Sequence, residues 1–347
     1  MKISFKSVLS VVTLAMVVLI LYASRHQLEH AWRLLAQVNI WLVCLVAVFT
    51  IMSYLFSGEM IFSYLKQKKI LKDVSLLTQM RVSLELNFVN HVLPSGGASG
   101  VAYTNWRMRK LGVSTSGSMM AQIVRFAAGF AATIVLLLVS LVVVTIDGHI
   151  NRWIILMSAL LIMSMSVIVA GFMFVAKSPT RIAKLSRAIG RFLSRIGRLL
   201  PSSQRHKLAK TREIEQFFDE FHTDYIQLNR SKKLLRRPFF WGLLFMTSDI
   251  LIFFIAFLSL GAVVNPASIL IAYCVASLAG FVMLTPGGAG GYEALMVGVL
   301  VVAGTTQSVA IAGILLARVI ILLITIVVGY IFYQLTLNKY GKRPATV

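Results

Sequence analysis

Apolar residues run along this chain in long blocks, without the strict alternation of a half-buried strand or the stripe of a surface helix. The blocks 8–23, 40–65, 117–146, 152–176, 238–261 and 307–334 read as membrane-spanning helices. A crossing takes about 20 mostly apolar residues, and only the first block falls short of that. Two further apolar stretches, 74–111 and 267–303, are broken in the middle by glycine clusters. Their pieces are mostly short for a full crossing, so each stretch reads as a helical hairpin that enters and leaves by one face. Irregular backbone at membrane depth is tolerated only where protein buries it or where it lines a cavity. The expected fold is an all-α polytopic bundle.

Composition agrees. The chain is 58% hydrophobic and 13% charged, with mean hydropathy +0.83, where a soluble domain carries about 25% charged residues. A net charge of +22 would suggest nucleic acid in a soluble protein. Here no aromatic-basic recognition motif accompanies it, and excess Lys and Arg is what the cytoplasmic loops of a membrane protein carry. Cys44 and Cys274 both lie in apolar runs, which implies neither a disulfide framework nor a metal site. Lys2 and Lys6 precede the first block, and no small-x-small cleavage pattern follows it. We expect it to be retained as a span.

The basic residues test the topology. With the N-terminus cytoplasmic and neither broken stretch crossing, the inner segments hold Lys2 and Lys6, Lys66, Lys68, Lys69 and Lys72, Arg107, Arg109 and Lys110, the dense run in 177–237, and Lys339, Lys342 and Arg343. Only Arg25, Arg33 and Arg152 then fall outside. Crossing by one broken stretch alone would place either the 177–237 loop or the basic tail outside, against the positive-inside rule. Two complete crossings per hairpin would give the same count. The setting expected is a plasma or inner membrane with both termini cytoplasmic.

The loop 177–237 begins with Ile182, Leu185, Ile189, Phe192, Ile196 and Leu199 at helical spacing, while Arg181, Lys184, Arg187, Arg191, Arg195 and Arg198 take other faces. Such a basic amphipathic helix should lie on an anionic lipid surface. Pro201 ends it, and a second helix over about 211–229 carries the acids of the loop.

The two breaks are partners. Ser95-Gly96-Gly97-Ala98-Ser99-Gly100 aligns with Pro286-Gly287-Gly288-Ala289-Gly290-Gly291. At nearly the same separation, Glu59 in the span before the first break matches Asp249, and Arg125 in the span after it matches Arg318. The repeat units are 40–146 and 238–334, with one span, 152–176, between them. An odd number of crossings inverts the second unit, so the hairpins would enter from opposite faces and meet near the midplane, as in many secondary transporters.

Glycines at a break permit close backbone approach and free amide groups, and a following helix adds positive partial charge. Such a turn suits a phosphate or carboxylate, although close helix packing through small residues explains it too. Pro94, Ser95, Gly96, Gly97 and Gly100, with Pro286, Gly287, Gly288, Gly290 and Gly291, are therefore candidate substrate contacts. Arg125 and Arg318, charges inside apolar spans, should face the protein interior or water and either bind a phosphodiester or pair with a carboxylate. Glu293 joins them at the start of a half-helix. Glu59, Glu85 and Asp249 are candidates for charge balance or coupling, with Asn90 and His91 before the first break. Arg81 and Glu85, four apart, suit a pair along one helix. Asn87, Asn90 and His91 fit the satisfaction of exposed backbone better than metal binding. No P-loop, nucleophile elbow, His-Glu-x-x-His or Cys-x-x-Cys is present, which argues against ATP-driven pumping by this chain alone. No cofactor or metal is expected.

At Asn90-His91-Val92-Leu93-Pro94-Ser95-Gly96-Gly97-Ala98-Ser99-Gly100 with Arg107–Lys110 and Gly112, at Thr285-Pro286-Gly287-Gly288-Ala289-Gly290-Gly291-Tyr292-Glu293-Ala294, and at Arg318, the sequence resembles the lysylphosphatidylglycerol synthase transmembrane-region family, also called the flippase-like domain family. The resemblance covers nearly the whole chain. In full-length synthases this region is associated with moving aminoacylated phosphatidylglycerol between leaflets, and a separate soluble domain attaches the amino acid. No such domain is read in these residues, so the resemblance implies a standalone member.

The leading expectation is thus a lipid transporter for an anionic, aminoacylated or polyprenyl-linked envelope lipid, more transporter than enzyme. The competing readings are a membrane-embedded glycosyl or aminoacyl transferase acting on a lipid acceptor, and a non-catalytic scaffold for envelope glycolipid synthesis. The partners expected are a phospholipid or glycolipid substrate, the anionic lipid surface, and further copies of the chain or envelope biosynthesis enzymes, but no nucleic acid.

Overall fold

The computed structural model describes residues 22, 38–71, 74–93, 98–146, 152–178, 180–181, 184, 223, 225–228, 231–280 and 290–340. The block 8–23 apart from Tyr22, nearly all of the amphipathic helix, Pro94, Ser95, Gly96, Gly97, Pro286, Gly287 and Gly288 lie outside the described residues. Within them the chain is helical: α1 Ile40–Gln67, α2 Leu76–Val92, α3 Ala98–Arg109, α4 Thr115–Ile146, α5 Arg152–Ala176, α6 Lys233–Ser259, α7 Pro266–Gly280, α8 Gly291–Val302 and α9 Gln307–Tyr340. Five of these, α1, α4, α5, α6 and α9, are long and apolar enough to cross a membrane. They are the five predicted spans that fall on described residues.

Local signals set the helix ends. The Asn39 side chain accepts the Trp41 N–H at 3.1 Å to start α1, and Ser75 accepts the Thr78 N–H at 3.3 Å to start α2, so each supplies an acceptor that the first turn lacks. At the end of α8, Gly304 takes a φ of 96° and the Thr305 N–H returns to the Leu300 carbonyl at 2.9 Å, a Schellman closure. Lys69 makes the same turn after α1 with a φ of 58°, a region that side-chain-bearing residues seldom enter. The helix α6 starts at Lys233, ahead of the expected Pro238. The proline is buried inside it, near enough to the start that the loss of one N–H does not stop the helix.

Packing fixes direction. The spans α1 and α6 run antiparallel along their length. The Asn39 N–H reaches the Ser259 carbonyl at 3.2 Å, Ser53 meets Asp249 midway, and Gln67 Nε2 donates to the Leu234 carbonyl at 3.2 Å. One end of the bundle gathers Ile61 and Leu65 of α1, Met108 of α3, Met120 and Val124 of α4, and Tyr225 into one buried cluster, with Leu234 packed against it. The end of α9 joins this side, where Tyr340 lies 4.9 Å under the Arg107 guanidinium. At the other end, Trp153 of α5 shares a small cavity with Ile271 of α7 and with Val299 and Val302 of α8.

Both broken stretches fold as antiparallel helix pairs. In the first, Asn90 meets Gly100 and Glu85 meets Tyr103, at 2.8 Å in each case. In the second, Tyr292 bonds Ser277 near the break, while Val299 and Ile271 face one cavity farther along. Exposed apolar surface is greatest on α5, with Leu160, Met163, Val167 and Phe174, and continues along α1, α4 and α9 at Val48, Leu138, Val142 and Val327. Apolar groups on that surface need no protein partner in a bilayer.

Candidate functional site

Between the two antiparallel pairs lies a cavity of about 180 Å³, and it collects polar side chains from six helices. Ser53 and Tyr54 come from α1, Asn87 and His91 from α2, and Asp249 from α6. Tyr273 and Ser277 come from α7, Tyr292 from α8, and Arg318 from α9. The residues flanking both glycine breaks therefore face one space. Sequence reading had identified Asp249, His91 and Arg318. It missed the hydroxyl side chains, whose signal was helical spacing: Thr50, Ser53 and Tyr54 on one apolar span, and Tyr273 and Ser277 one turn apart on another.

Among the described residues Asp249 is held by hydroxyls and not by a cation. Ser53 Oγ donates to its Oδ1, and Tyr273 OH donates to its Oδ2 at 2.5 Å. Tyr54 OH and Thr325 Oγ1 bond each other beside it. On the opposite wall, Arg318 Nε donates to Glu293 Oε1 at 2.7 Å, and its guanidinium lies 4.4 Å from the centre of the Tyr292 ring. Glu293 also uses Oε2 to accept the Gly290 N–H at 2.7 Å, where Gly290 takes a φ of 86°. One carboxylate thus closes the first turn of α8 and fixes the arginine of α9. Gly291 is the first residue of α8, beside this cap.

The first break is closed by a different residue type. Asn90 Oδ1 accepts the Gly100 N–H at 2.8 Å, capping the start of α3 from a neighbouring helix. His91 Nδ1 lies 2.9 Å from the Asn87 carbonyl oxygen, and Asn87 Nδ2 donates to the Ser83 carbonyl at 2.9 Å. Asn90 thus serves a backbone amide at the break, while Asn87 and His91 bond carbonyls one turn back within α2. The amides of Gly100 and Gly290, counted among candidate ligand donors, are engaged within the protein.

The remaining acids lie away from the cavity. Glu59, the sequence match of Asp249, pairs with Lys66 at 3.1 Å. Glu85 is fully buried and gathers four partners: Arg81 Nε at 2.8 Å, Arg107 Nε at 3.4 Å, Tyr103 OH at 2.8 Å and Thr336 Oγ1 at 2.5 Å. That cluster ties α2, α3 and α9 together. The expected Arg81–Glu85 pair is there, and the other three partners come from helices that no spacing pattern links to Glu85.

Arg125, the sequence match of Arg318, has a different setting. It lines a second cavity of about 180 Å³ between α1, α4, α5, α6 and α7. The walls are mostly apolar. The Ser57 hydroxyl is 3.5 Å from Nη1, and the Phe126 ring centre lies 4.8 Å from the guanidinium carbon. Nε is buried without a hydrogen-bond partner, and among the described residues no carboxylate pairs with Arg125. The two cavities share Phe245, Tyr273 and Ser277 as a wall.

Among the described residues no group of three His, Cys, Asp or Glu side chains is arranged to hold a metal. A polar chamber with one acid, one paired arginine and several hydroxyls, beside an apolar chamber with one arginine, suits binding of an amphiphile.

No curated protein matches the chain significantly. The family described as Lysylphosphatidylglycerol synthase TM region matches residues 7–329, and the chain, a multi-pass helical membrane protein, belongs to that family.

Proposed function

We propose that the chain moves a lipid between leaflets, with the polar head group passing through the central cavity while the acyl chains stay in the bilayer. The observation that carries this reading is the convergence of both glycine breaks on one polar space. Asn87 and His91 before the first break, and Ser277 and Tyr292 around the second, face Asp249 and Arg318 across it. Membership of a family tied to lipid metabolism or transport supports the same reading. The substrate is an anionic, aminoacylated or polyprenyl-linked lipid.

In this reading the two units are inverted repeats with re-entrant hairpins. Helix neighbours support it. Exchanging α1–α4 with α6–α9 turns the pair α1–α2 into α6–α7, α2–α3 into α7–α8, α3–α4 into α8–α9 and α1–α4 into α6–α9. It also turns α4–α6 into α9–α1 and α4–α7 into α9–α2, and leaves α1–α6 as itself. The open end of the α2–α3 pair lies with the Tyr225 cluster, and that of the α7–α8 pair lies with Trp153 at the opposite end. Alternate rocking of the two units would expose the cavity to one side and then the other.

The test is a leaflet-accessibility assay in proteoliposomes, run with a panel of labelled phospholipids and polyprenyl-linked lipids. The expected result is translocation above that of empty vesicles for at least one anionic or aminoacylated lipid. Folded protein that accelerates none of the panel, native membrane lipids included, would overturn the proposal.

A further inference from the structure

An isolated guanidinium inside a bilayer is costly, and such charges persist where they meet a partner or water. Arg318 has its carboxylate, whereas among the described residues Arg125 has none, although the two hold matched places in the aligned sequence. The space in front of Arg125 is lined almost wholly by apolar groups. Gly129 widens the same cavity: a Cβ there would meet only the Met60 methyl at 3.7 Å. A cation without a counter-charge, facing a greasy chamber, is complementary to a molecule with one anionic group and a hydrocarbon chain.

We propose that the Arg125 cavity is a distinct binding site for the phosphodiester of an anionic phospholipid, with acyl chain against Gly129, Phe130 and Met165. Bidentate recognition of phosphate is what a guanidinium offers and an ammonium does not. The position of the site narrows the head group. On α1, Ser53 faces Asp249 and Ser57, one turn along, faces Arg125; a turn is about 5.4 Å. A lipid with its phosphate on Arg125 would therefore send a short head group past Tyr273 and Ser277 towards the Asp249 carboxylate. That carboxylate accepts hydroxyl or ammonium donors and repels a second anion. The ligand class is a phosphodiester lipid with a hydroxyl- or amine-bearing head group. The handover to the central cavity rests on the translocation reading; occupation of the Arg125 site does not.

The experiment uses the full chain in neutral detergent. Retention of short-chain phosphatidylglycerol, of diacylglycerol with the same tails, and of phosphatidylglycerol in the presence of free glycerol phosphate is measured by native mass spectrometry. A charge-assisted contact predicts at least about tenfold preference for phosphatidylglycerol over diacylglycerol. Arg125→Gln should bring that preference to about one, Arg125→Lys should leave it intermediate, and Gly129→Leu should lower retention of both lipids. Free glycerol phosphate should not compete. Without lipid, Arg125→Gln should melt at or above the wild-type temperature, because it removes an uncompensated charge. A preference that survives Arg125→Gln overturns the site. So does a lower melting temperature of Arg125→Gln without lipid, which would make the arginine structural, and so does full competition by glycerol phosphate, which would make the ligand a soluble anion. Translocation without Arg125-dependent retention sinks this inference and leaves the transport reading standing. Retention without translocation does the reverse.

Discussion

Asn90 reaches across the first break and accepts the Gly100 N–H at 2.8 Å, so close that a Cβ on residue 100 would overlap its side-chain amide. One side chain thus caps α3 and fills the space that glycine leaves. The two positions are coupled, and the glycine is explained by a neighbour and not by a ligand.

Gly100→Ala should therefore lower the melting temperature in detergent, since the amide must move and the cap is lost. Asn90→Ala alone should cost about 1 kcal/mol, the usual worth of a cap. In the Asn90→Ala background the added methyl has room, so Gly100→Ala should cost less there than in the wild type. Additive melting shifts would show that the contact carries no energy.

Glu85 carries its charge at a fully enclosed position and faces two arginines. Glu85→Ala should destabilise by about 3–5 kcal/mol, because the buried Arg107 guanidinium loses its counter-charge while remaining enclosed and the part-exposed Arg81 loses its pair. Glu85→Gln should cost less, since an amide oxygen still accepts from Arg81 or Tyr103. Thermal unfolding of the two variants, compared with Glu59→Gln near the Lys66 end, checks the ranking.

The spans were legible because a bilayer leaves few ways to satisfy a backbone, and long apolar runs have one use. The breaks were legible for the same reason inverted: glycine clusters inside such runs stand out. Asp249 and Arg318 could be picked out as charges in apolar spans. Their unlike partners could not. Arg125 and Arg318 occupy matched positions, yet one meets Glu293 and the other meets Ser57 and an aromatic ring. Residue type and spacing carry the alignment of the two glycine clusters and of the charges around them. Pairing depends on rotations of neighbouring helices, which spacing does not encode. Equally, nothing in the sequence joined Glu85 to Thr336, because that contact ties α2 to a helix far away in the chain.

Glu293 has two tasks, and a double-mutant cycle separates them. Arg318→Met removes one partner and leaves the Gly290 cap in place. Glu293→Ala removes the cap as well and leaves a buried arginine, so it should be the more destabilising of the two. The coupling between the positions should lie in the range of about 0.5–3 kcal/mol found for contacting groups. Equal single effects with no coupling would mean that the 2.7 Å contact is incidental.

Asp249 accepts from Ser53 and Tyr273, contacts that an amide of the same shape keeps in part. Asp249→Asn should therefore fold and melt within a few degrees of the wild type, a shift of about 1 kcal/mol. If the carboxylate receives a head-group donor, the same variant should lose most translocation in proteoliposomes. Unchanged transport would remove Asp249 from the site while leaving the cavity.

Glycines outside the breaks separate packing from permissiveness. At Gly58 a Cβ would come within 2.8 Å of the Gln79 carbonyl oxygen, and at Gly329 within 2.7 Å of the Phe88 Cβ. Both obstacles are backbone or near-backbone atoms that cannot swing aside, so α1–α2 and α9–α2 would have to separate. At Gly313 the obstacle is the Phe257 ring, which can turn at some cost. At Gly171 and Gly298 nothing lies within 4 Å, and both are inside helices. Alanine should therefore destabilise strongly at Gly58 and Gly329 and less at Gly313. At Gly171 and Gly298 it should be neutral or stabilising by up to about 1 kcal/mol, the difference in helix propensity. Melting temperatures of the five variants in one detergent would test the order, and a destabilising Gly298→Ala would mean that α8 packs against a surface absent from the single chain.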